Sequence, residues 1–150
     1  MTTDPPVLLP SDTVADALEQ LLERRYLALP VVDAEKRYLG LFARSRLFSL
    51  MLPSIVALED MVPRIAQLTD LAYLSDDLDD LRARFDALRD RPVADYADRK
   101  APTLSPDSPL MAAILLVYRT RNFVPVVDES KHLVGIVSTW DVLAKLREKS

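Results

Sequence analysis

The sequence predicts an α/β (α+β) fold: two β-α-β-β-α repeats packed about a pseudo-twofold axis, with a helical segment inserted between them. Three observations carry this prediction. The stretch Leu27–Arg46 (L-A-L-P-V-V-D-A-E-K-R-Y-L-G-L-F-A-R-S-R) returns as Asn122–Asp141 (N-F-V-P-V-V-D-E-S-K-H-L-V-G-I-V-S-T-W-D), with Pro30-Val31-Val32-Asp33 on Pro125-Val126-Val127-Asp128 and Lys36 on Lys131. The chain has only two glycines, Gly40 and Gly135, and they fall at the same place in the two copies. Each copy also reads strand, helix, strand, tight turn, strand, helix. Repeated units of this kind cannot bury their apolar faces alone, so the two copies should pack on each other. An ungapped slide lays Leu8–Met51 on Thr103–Leu146, pairing Leu9 with Leu104, Ala17 with Ala112, Leu21 with Leu116 and Arg24 with Arg119.

Along the chain, Val7-Leu8-Leu9 reads as a short strand after the extended Pro5–Pro10 lead-in. Ser11 and Asp12 offer N-cap oxygens, and Asp16 adds negative charge to the first helical turn. Val14, Leu18, Leu21 and Leu22 then form one apolar stripe at helical spacing. Leu27–Val32 is a buried strand whose Pro30 cannot donate to a ladder, so pairing there should be at an edge or irregular. Asp33–Arg37 is the turn, Tyr38–Ala43 the next strand, and Arg44–Leu52 a helix that stops before Pro53.

Residues 53–92 have no internal counterpart and separate the units 1–52 and 93–150. Ser54 can cap a helix carrying Ile55, Val56, Leu58 and Met61, and Pro63 suits the start of another. Leu71, Leu74, Leu78, Leu81, Phe85 and Leu88 alternate steps of three and four, which places them in one seam of a helix that Pro92 stops. Aspartates crowd the start of this helix and arginines its end, and Asp80–Arg84 is a favourable i,i+4 pair. In the second copy Thr103-Leu104 is a short strand and Asp107 caps a helix from Ser108. Met111–Tyr118 (M-A-A-I-L-L-V-Y) is apolar all round, which predicts either a sandwiched helix or a subunit contact.

Composition narrows the function classes. Hydrophobic residues make up 49% and charged residues 28% of 150, the balance of a soluble globular chain with a full core. The net charge of −4 lacks the basic footprint of duplex nucleic-acid binding. No apolar run approaches the roughly 18 to 20 residues of a membrane span, and no signal sequence is visible. Together with the absence of cysteine this predicts the cytoplasm. The single histidine, His132, falls in a turn, where solvation is the ordinary reading, so a transition-metal site is not expected.

The repeat resembles the CBS domain family, and the duplication resembles a tandem CBS pair, or Bateman module. The resemblance rests on F-V-P-V-V-D-E-S-K-H-L-V-G-I-V-S-T-W-D-V-L (Phe123–Leu143), on its partner Ala28–Phe48, and on the lead-in Val93–Leu110. It implies binding of an adenosine-containing ligand (AMP, ADP, ATP or S-adenosylmethionine) in a cleft between the repeats. Carried over by position, Asp141 would accept from ribose hydroxyls and Ser138 would donate to a phosphate at the helix start. Thr103 and Leu104 would lie around the adenine, and Asn122, Phe123 and Val124 would line the other side. Arg121, Arg119 and Lys131 are the nearest basic groups for phosphate. A carboxylate suits a diol, and a hydroxyl beside helix N–H groups suits an anion. The same Ser-x-x-Asp pattern is equally a helix capping box, and one residue can do both.

In the first copy Ala43 and Arg46 stand where Ser138 and Asp141 stand in the second. Hydroxyl and carboxylate are both missing, so one ligand per chain is expected. The first cleft is then empty or structural, unless Arg44 and Arg46 serve a phosphate bound elsewhere. The function expected is a regulatory module sensing an adenine nucleotide, forming a homodimer and acting on a separate effector protein. A ligand-free dimerisation scaffold is the alternative, supported by the apolar helix and the leucine seam. Catalysis is not expected, because the sequence has no cysteine and no glycine-rich phosphate loop.

Overall fold

A computed structural model describes residues 1–51, 71–121 and 123–148. The helices expected from Ser54 and Pro63, and the site candidate Asn122, lie outside the described residues. In chain order the elements are α1 (Val14–Arg24), β1 (Ala28–Val32), β2 (Tyr38–Ala43), α2 (Arg44–Met51) and α3 (Leu71–Leu88). A 3₁₀ turn (Val93–Asp95) follows, then α4 (Leu110–Thr120), β3 (Val124–Val127), β4 (Leu133–Val137) and α5 (Thr139–Glu148).

Each repeat is built on an antiparallel hairpin, β1 with β2 and β3 with β4. The two turns are closed by the same chemistry. Asp33 Oδ1 accepts from the N–H groups of Glu35 and Arg37, and Asp128 Oδ1 accepts from those of Ser130 and His132, all at 2.9 Å. Lys36 and Lys131 take the left-handed conformation the turn requires (φ 66° and 71°). The shared P-V-V-D therefore specifies a turn. The two turns also meet each other: Tyr38 N–H donates to the Lys131 carbonyl (2.7 Å) and Leu133 N–H to that of Lys36 (3.0 Å). This reciprocal pair marks the pseudo-twofold relation between the hairpins.

The expected lead-in strands shrink to single parallel bridges, Leu8 to Val31 and Leu104 to Val126. Proline explains why. The Pro30 carbonyl accepts from Leu8 and Val32 N–H donates back to Leu8, so the missing Pro30 N–H falls on that same edge. The ladder cannot extend past it, as the sequence implied, and Pro125 repeats the arrangement with Leu104.

The far edges are covered by segments from the other half of the chain. Leu41 exchanges two backbone hydrogen bonds with Asp98 (3.0 and 2.8 Å), and Ile136 does the same with Thr2 (2.9 and 3.0 Å). Both glycines sit next to these exchanges with ordinary negative φ. A Cβ on Gly40 would meet the Asp98 carbonyl oxygen at 3.0 Å, and one on Gly135 would meet that of Thr2 at 2.5 Å. Close approach of a foreign backbone, not turning, is why both are glycine.

Two sequence expectations need correction. The repeats do not superpose without a gap: the hairpins match at Pro30/Pro125 and Gly40/Gly135, but the lead-ins and first helices match one residue further on. Leu8 corresponds to Leu104, and Arg25 to Arg121, both of which end their helices in the left-handed conformation (φ 58° and 54°). The buried faces agree, Ala17 with Ala113 and Leu21 with Val117. First-copy Tyr26-Leu27 is replaced by Asn122 alone, and that is the deletion. The caps also differ. Thr13, not Ser11 or Asp12, caps α1 in a full capping box with Asp16, and α4 begins after Pro109 without a side-chain cap.

The larger core is built on the first repeat, where Leu8, Val14, Ala17, Leu21, Leu29, Val31, Phe42 and Leu47 are buried together with Val93 from the start of the second segment. Phe85 and Leu88 of α3 pack against it, so that end of the leucine seam serves this chain's own core, while Leu78 is exposed. The segment after α3 also accepts from the first N–H groups of α1, which have no intrahelical partner: Val14 donates to Arg91 and Ala15 to Arg89. Arg84 reaches the Met51 carbonyl (3.3 Å) rather than its expected partner Asp80. Leu104, Ala113, Val117, Val124 and Val126 form a smaller core in the second repeat. Ala28, Phe123 and Ile136, with Leu41 and Ala43 against them, form a third cluster that joins the repeats. The apolar α4 is not sandwiched among the described residues: Ala113 and Val117 face the core, but Met111 and Tyr118 are 63% and 79% exposed.

Candidate functional site

Strand β4 ends at Val137, and Ser138 then precedes α5 with Asp141 in its first turn. Asp141 Oδ2 accepts from the Ser138 N–H (2.8 Å) and from the Ser138 hydroxyl (3.1 Å). This is the carboxylate half of a capping box. The hydroxyl spends its proton on the carboxylate instead of accepting a helix N–H, unlike Thr13 in α1. The second oxygen, Oδ1, lies 3.2 Å from the amine of Met1. Partial burial pushes the Asp141 carboxyl up, but the hydrogen bonds from Ser138 and the nearby amine outweigh it, and the group titrates below the usual carboxylate range.

Ser138 and Asp141 open onto a cavity of about 480 Å³ between the repeats. From the second repeat it is lined by Arg121, Phe123, Ile136 and the first turn of α5, including Trp140; from the first come Arg24, Arg25, Tyr26 and Leu27. The chemistry on offer is a carboxylate at one side and arginines from the ends of α1 and α4 at the other. That combination can hold a diol and an anion in one ligand.

Four of the expected site residues therefore converge: Ser138, Asp141, Arg121 and Phe123. Three others do not line this cavity. Leu104 is buried, and its N–H and carbonyl are used by Pro125 and Val127 of β3. Val124 is 1% exposed inside β3, and Thr103 is exposed outside the cavity lining. Lys131 is absent because it closes the hairpin turn, and Arg119 does not line the cavity either. Arg24 and Arg25, which the sequence reading did not name, line the cavity as well. The signal was available in Arg25 and Arg121 as matched helix-ending residues, but the ungapped alignment hid it by one position.

The corresponding cleft of the first repeat is larger, about 580 Å³, and carries different chemistry. Arg46 takes the place of Asp141, and its Nε donates to the Tyr96 carbonyl at 3.3 Å. Its guanidinium lies over the Tyr96 ring, 5.9 Å from the centroid. Among the described residues no cluster of His, Cys, Asp or Glu could hold a metal ion, and no helix is long and apolar enough to cross a membrane.

Comparison with known proteins identifies the family and the fold. The CBS domain family profile matches residues 1–53 and 93–148, and the chain belongs to that family as a tandem CBS module. The CBS-pair protein CBSX2 from Arabidopsis thaliana superposes with a TM-score of 0.74 at 24% identity, covering 99% of this chain and 92% of that one. CBSX2 in complex with AMP superposes at 0.68, with 25% identity over 100% of this chain and 95% of that one. CbpB in complex with c-di-AMP shares the fold (TM-score 0.66, 15% identity, 97% and 78% covered). By sequence the chain is also similar to the A-adding tRNA nucleotidyltransferase of Aquifex aeolicus (strain VF5), 26% identical over 149 residues. It covers 99% of this chain but spans only 14% of that relative's length.

Proposed function

We propose that this chain is a regulatory module that takes up one adenine nucleotide in the cleft bounded by Ser138 and Asp141. The observation that carries the reading is the convergence, in one cavity, of the Asp141 carboxylate with Arg24, Arg25 and Arg121. The AMP complex of CBSX2 supports the ligand class. Ribose hydroxyls would donate to Asp141 Oδ1, the oxygen not engaged in capping, in place of the Met1 amine that faces it at 3.2 Å, and the phosphate would face the arginines. Because both repeats line the cavity, a ligand there favours whichever relative arrangement of the repeats binds it better, and that differential affinity is the signal.

Calorimetry with AMP, ADP, ATP and S-adenosylmethionine tests the reading, with the fluorescence of Trp140, the single tryptophan, as a second monitor. One equivalent of a nucleotide bound, with Trp140 emission changed, is expected. A folded protein that binds none of the four sinks it. ATP and S-adenosylmethionine enter as candidates alongside AMP and ADP.

A second copy of this chain is the partner proposed for the face formed by α4 and α5. Met111, Leu115, Tyr118, Trp140, Leu143 and Leu146 are all between 49% and 79% exposed on these neighbouring helices. Leu22 and Phe48, on α1 and α2 of the first repeat, are exposed too, so a copy could cover both repeats. Sedimentation velocity should give a dimer that Leu115→Glu with Leu146→Glu converts to a monomer. Unchanged sedimentation in that variant would leave the face without this role.

A further inference from the structure

Taking the cleft at Ser138 and Asp141 as the nucleotide site proposed above, we infer that the N-terminal strap, Met1 and Thr2, is its built-in competitor: the nucleotide must displace the strap to bind. Strap and ligand claim the same atom. The Met1 amine lies 3.2 Å from Asp141 Oδ1, the oxygen left over from capping and the one a ribose diol would use. Thr2 itself lines the cavity. Position 135 makes room for the strap by carrying no side chain. A Cβ on Gly135 would meet the Thr2 carbonyl oxygen at 2.5 Å and the Met1 side chain at 3.0 Å.

The strap is also held lightly enough to leave. Thr2 exchanges two backbone hydrogen bonds with Ile136, yet residues 1–4 are all exposed and, among the described residues, none of them belongs to a buried cluster. The ion pair is part-exposed, and pairs of that kind hold weakly. The equivalent cover on the first hairpin is more firmly seated: Asp98 follows Tyr96 and Ala97, which pack against the larger core. A strap docked in about nine molecules of ten would weaken the apparent affinity for nucleotide about tenfold. Neutralising the amine, as acetylation does, would lift that handicap.

Calorimetric titration of AMP into three full-length chains tests the competition: the native chain, the chain acetylated at the Met1 amine, and Thr2→Pro, which lacks the N–H that donates to the Ile136 carbonyl. Both altered chains are expected to bind AMP about three- to tenfold more tightly. Amide exchange at Ile136 is the second readout, because its N–H donates to the Thr2 carbonyl at 2.9 Å. That exchange should speed up when AMP saturates the native chain. Equal or weaker affinity in both altered chains, or slower exchange at Ile136 with AMP bound, would overturn the strap as a competitor and leave the nucleotide cleft standing. AMP bound by none of the three chains would overturn both.

Discussion

The two clefts share a backbone plan and differ in the sign of the one lining charge at the start of the following helix. Strand, turn and helix start are equivalent, yet Ser138 and Asp141 open one cleft where Ala43 and Arg46 open the other. Asp141 suits its position twice over, since a carboxylate in the first turn caps α5 and favours the positive end of the helix dipole. Arg46 gains neither benefit in α2, and finds the Tyr96 carbonyl and ring instead. The two copies thus share the scaffold through the hairpins, while two side chains three residues apart give the two clefts different chemistry at the helix start.

Several substitutions should break this contrast, the largest effect first. Asp141→Ala should weaken nucleotide binding by about 10- to 100-fold, the range expected for lost hydrogen bonds to a charged group. Arg46→Ala should leave that affinity within about twofold; calorimetry on both variants reads the difference. The glycines should also part company. Gly135→Ala forces backbone apart at 2.5 Å and is expected to cost about 2 to 3 kcal/mol, whereas Gly40→Ala, at 3.0 Å, should cost about 1 kcal/mol. Denaturant unfolding measures both, and faster amide exchange at Ile136 than at Leu41 would locate the damage.

Asp141→Asn should lower stability by about 1 kcal/mol through the weakened cap and Tm by about 2 to 4 °C. Its pH dependence has a defined sign. The folded carboxyl titrates below its unfolded value of about 3.9, so its contribution is present above that pH and is lost as pH falls through the folded pKa. The gap between wild type and Asp141→Asn should therefore close on acidification below about pH 4. Tyr38→Phe should have the smallest effect and the opposite sign. Among the described residues its buried hydroxyl has no hydrogen-bond partner, and burial with Asp98 nearby pushes its pKa up. The second repeat has Leu133 in that place. A gain of up to about 1 kcal/mol in thermal unfolding is expected.

The hairpins and their partnership were legible in the sequence because their signals are local: P-V-V-D closes a turn within four residues, and a glycine at a fixed place marks a close neighbour. The caps were less so, since Ser11, Asp12 and Thr13 are adjacent and all competent. The one-residue slip between repeats was invisible because leucine and alanine recur along both first helices. Leu9 on Leu104 looks as good as Leu8 on Leu104 until hydrogen bonds decide. Of the cavity lining, Ser138, Asp141, Arg121 and Phe123 stay close in sequence to the second hairpin and could be named from it. Arg24 and Arg25 arrive from the other repeat, and only the packed arrangement brings them in.

The covering of the outer sheet edges has a consequence for how the module can be divided. Thr2 belongs to the first half of the chain but completes the edge of the second, and Asp98, from the second half, completes the edge of the first. Each repeat has lent an arm to the other. Cut between 53 and 92, each half would carry a strand edge with unmet hydrogen bonds and an arm with nothing to hold. The fragments should be poor folders apart and good complements together, and a single ancestral repeat would have met the same need by trading arms with its twin.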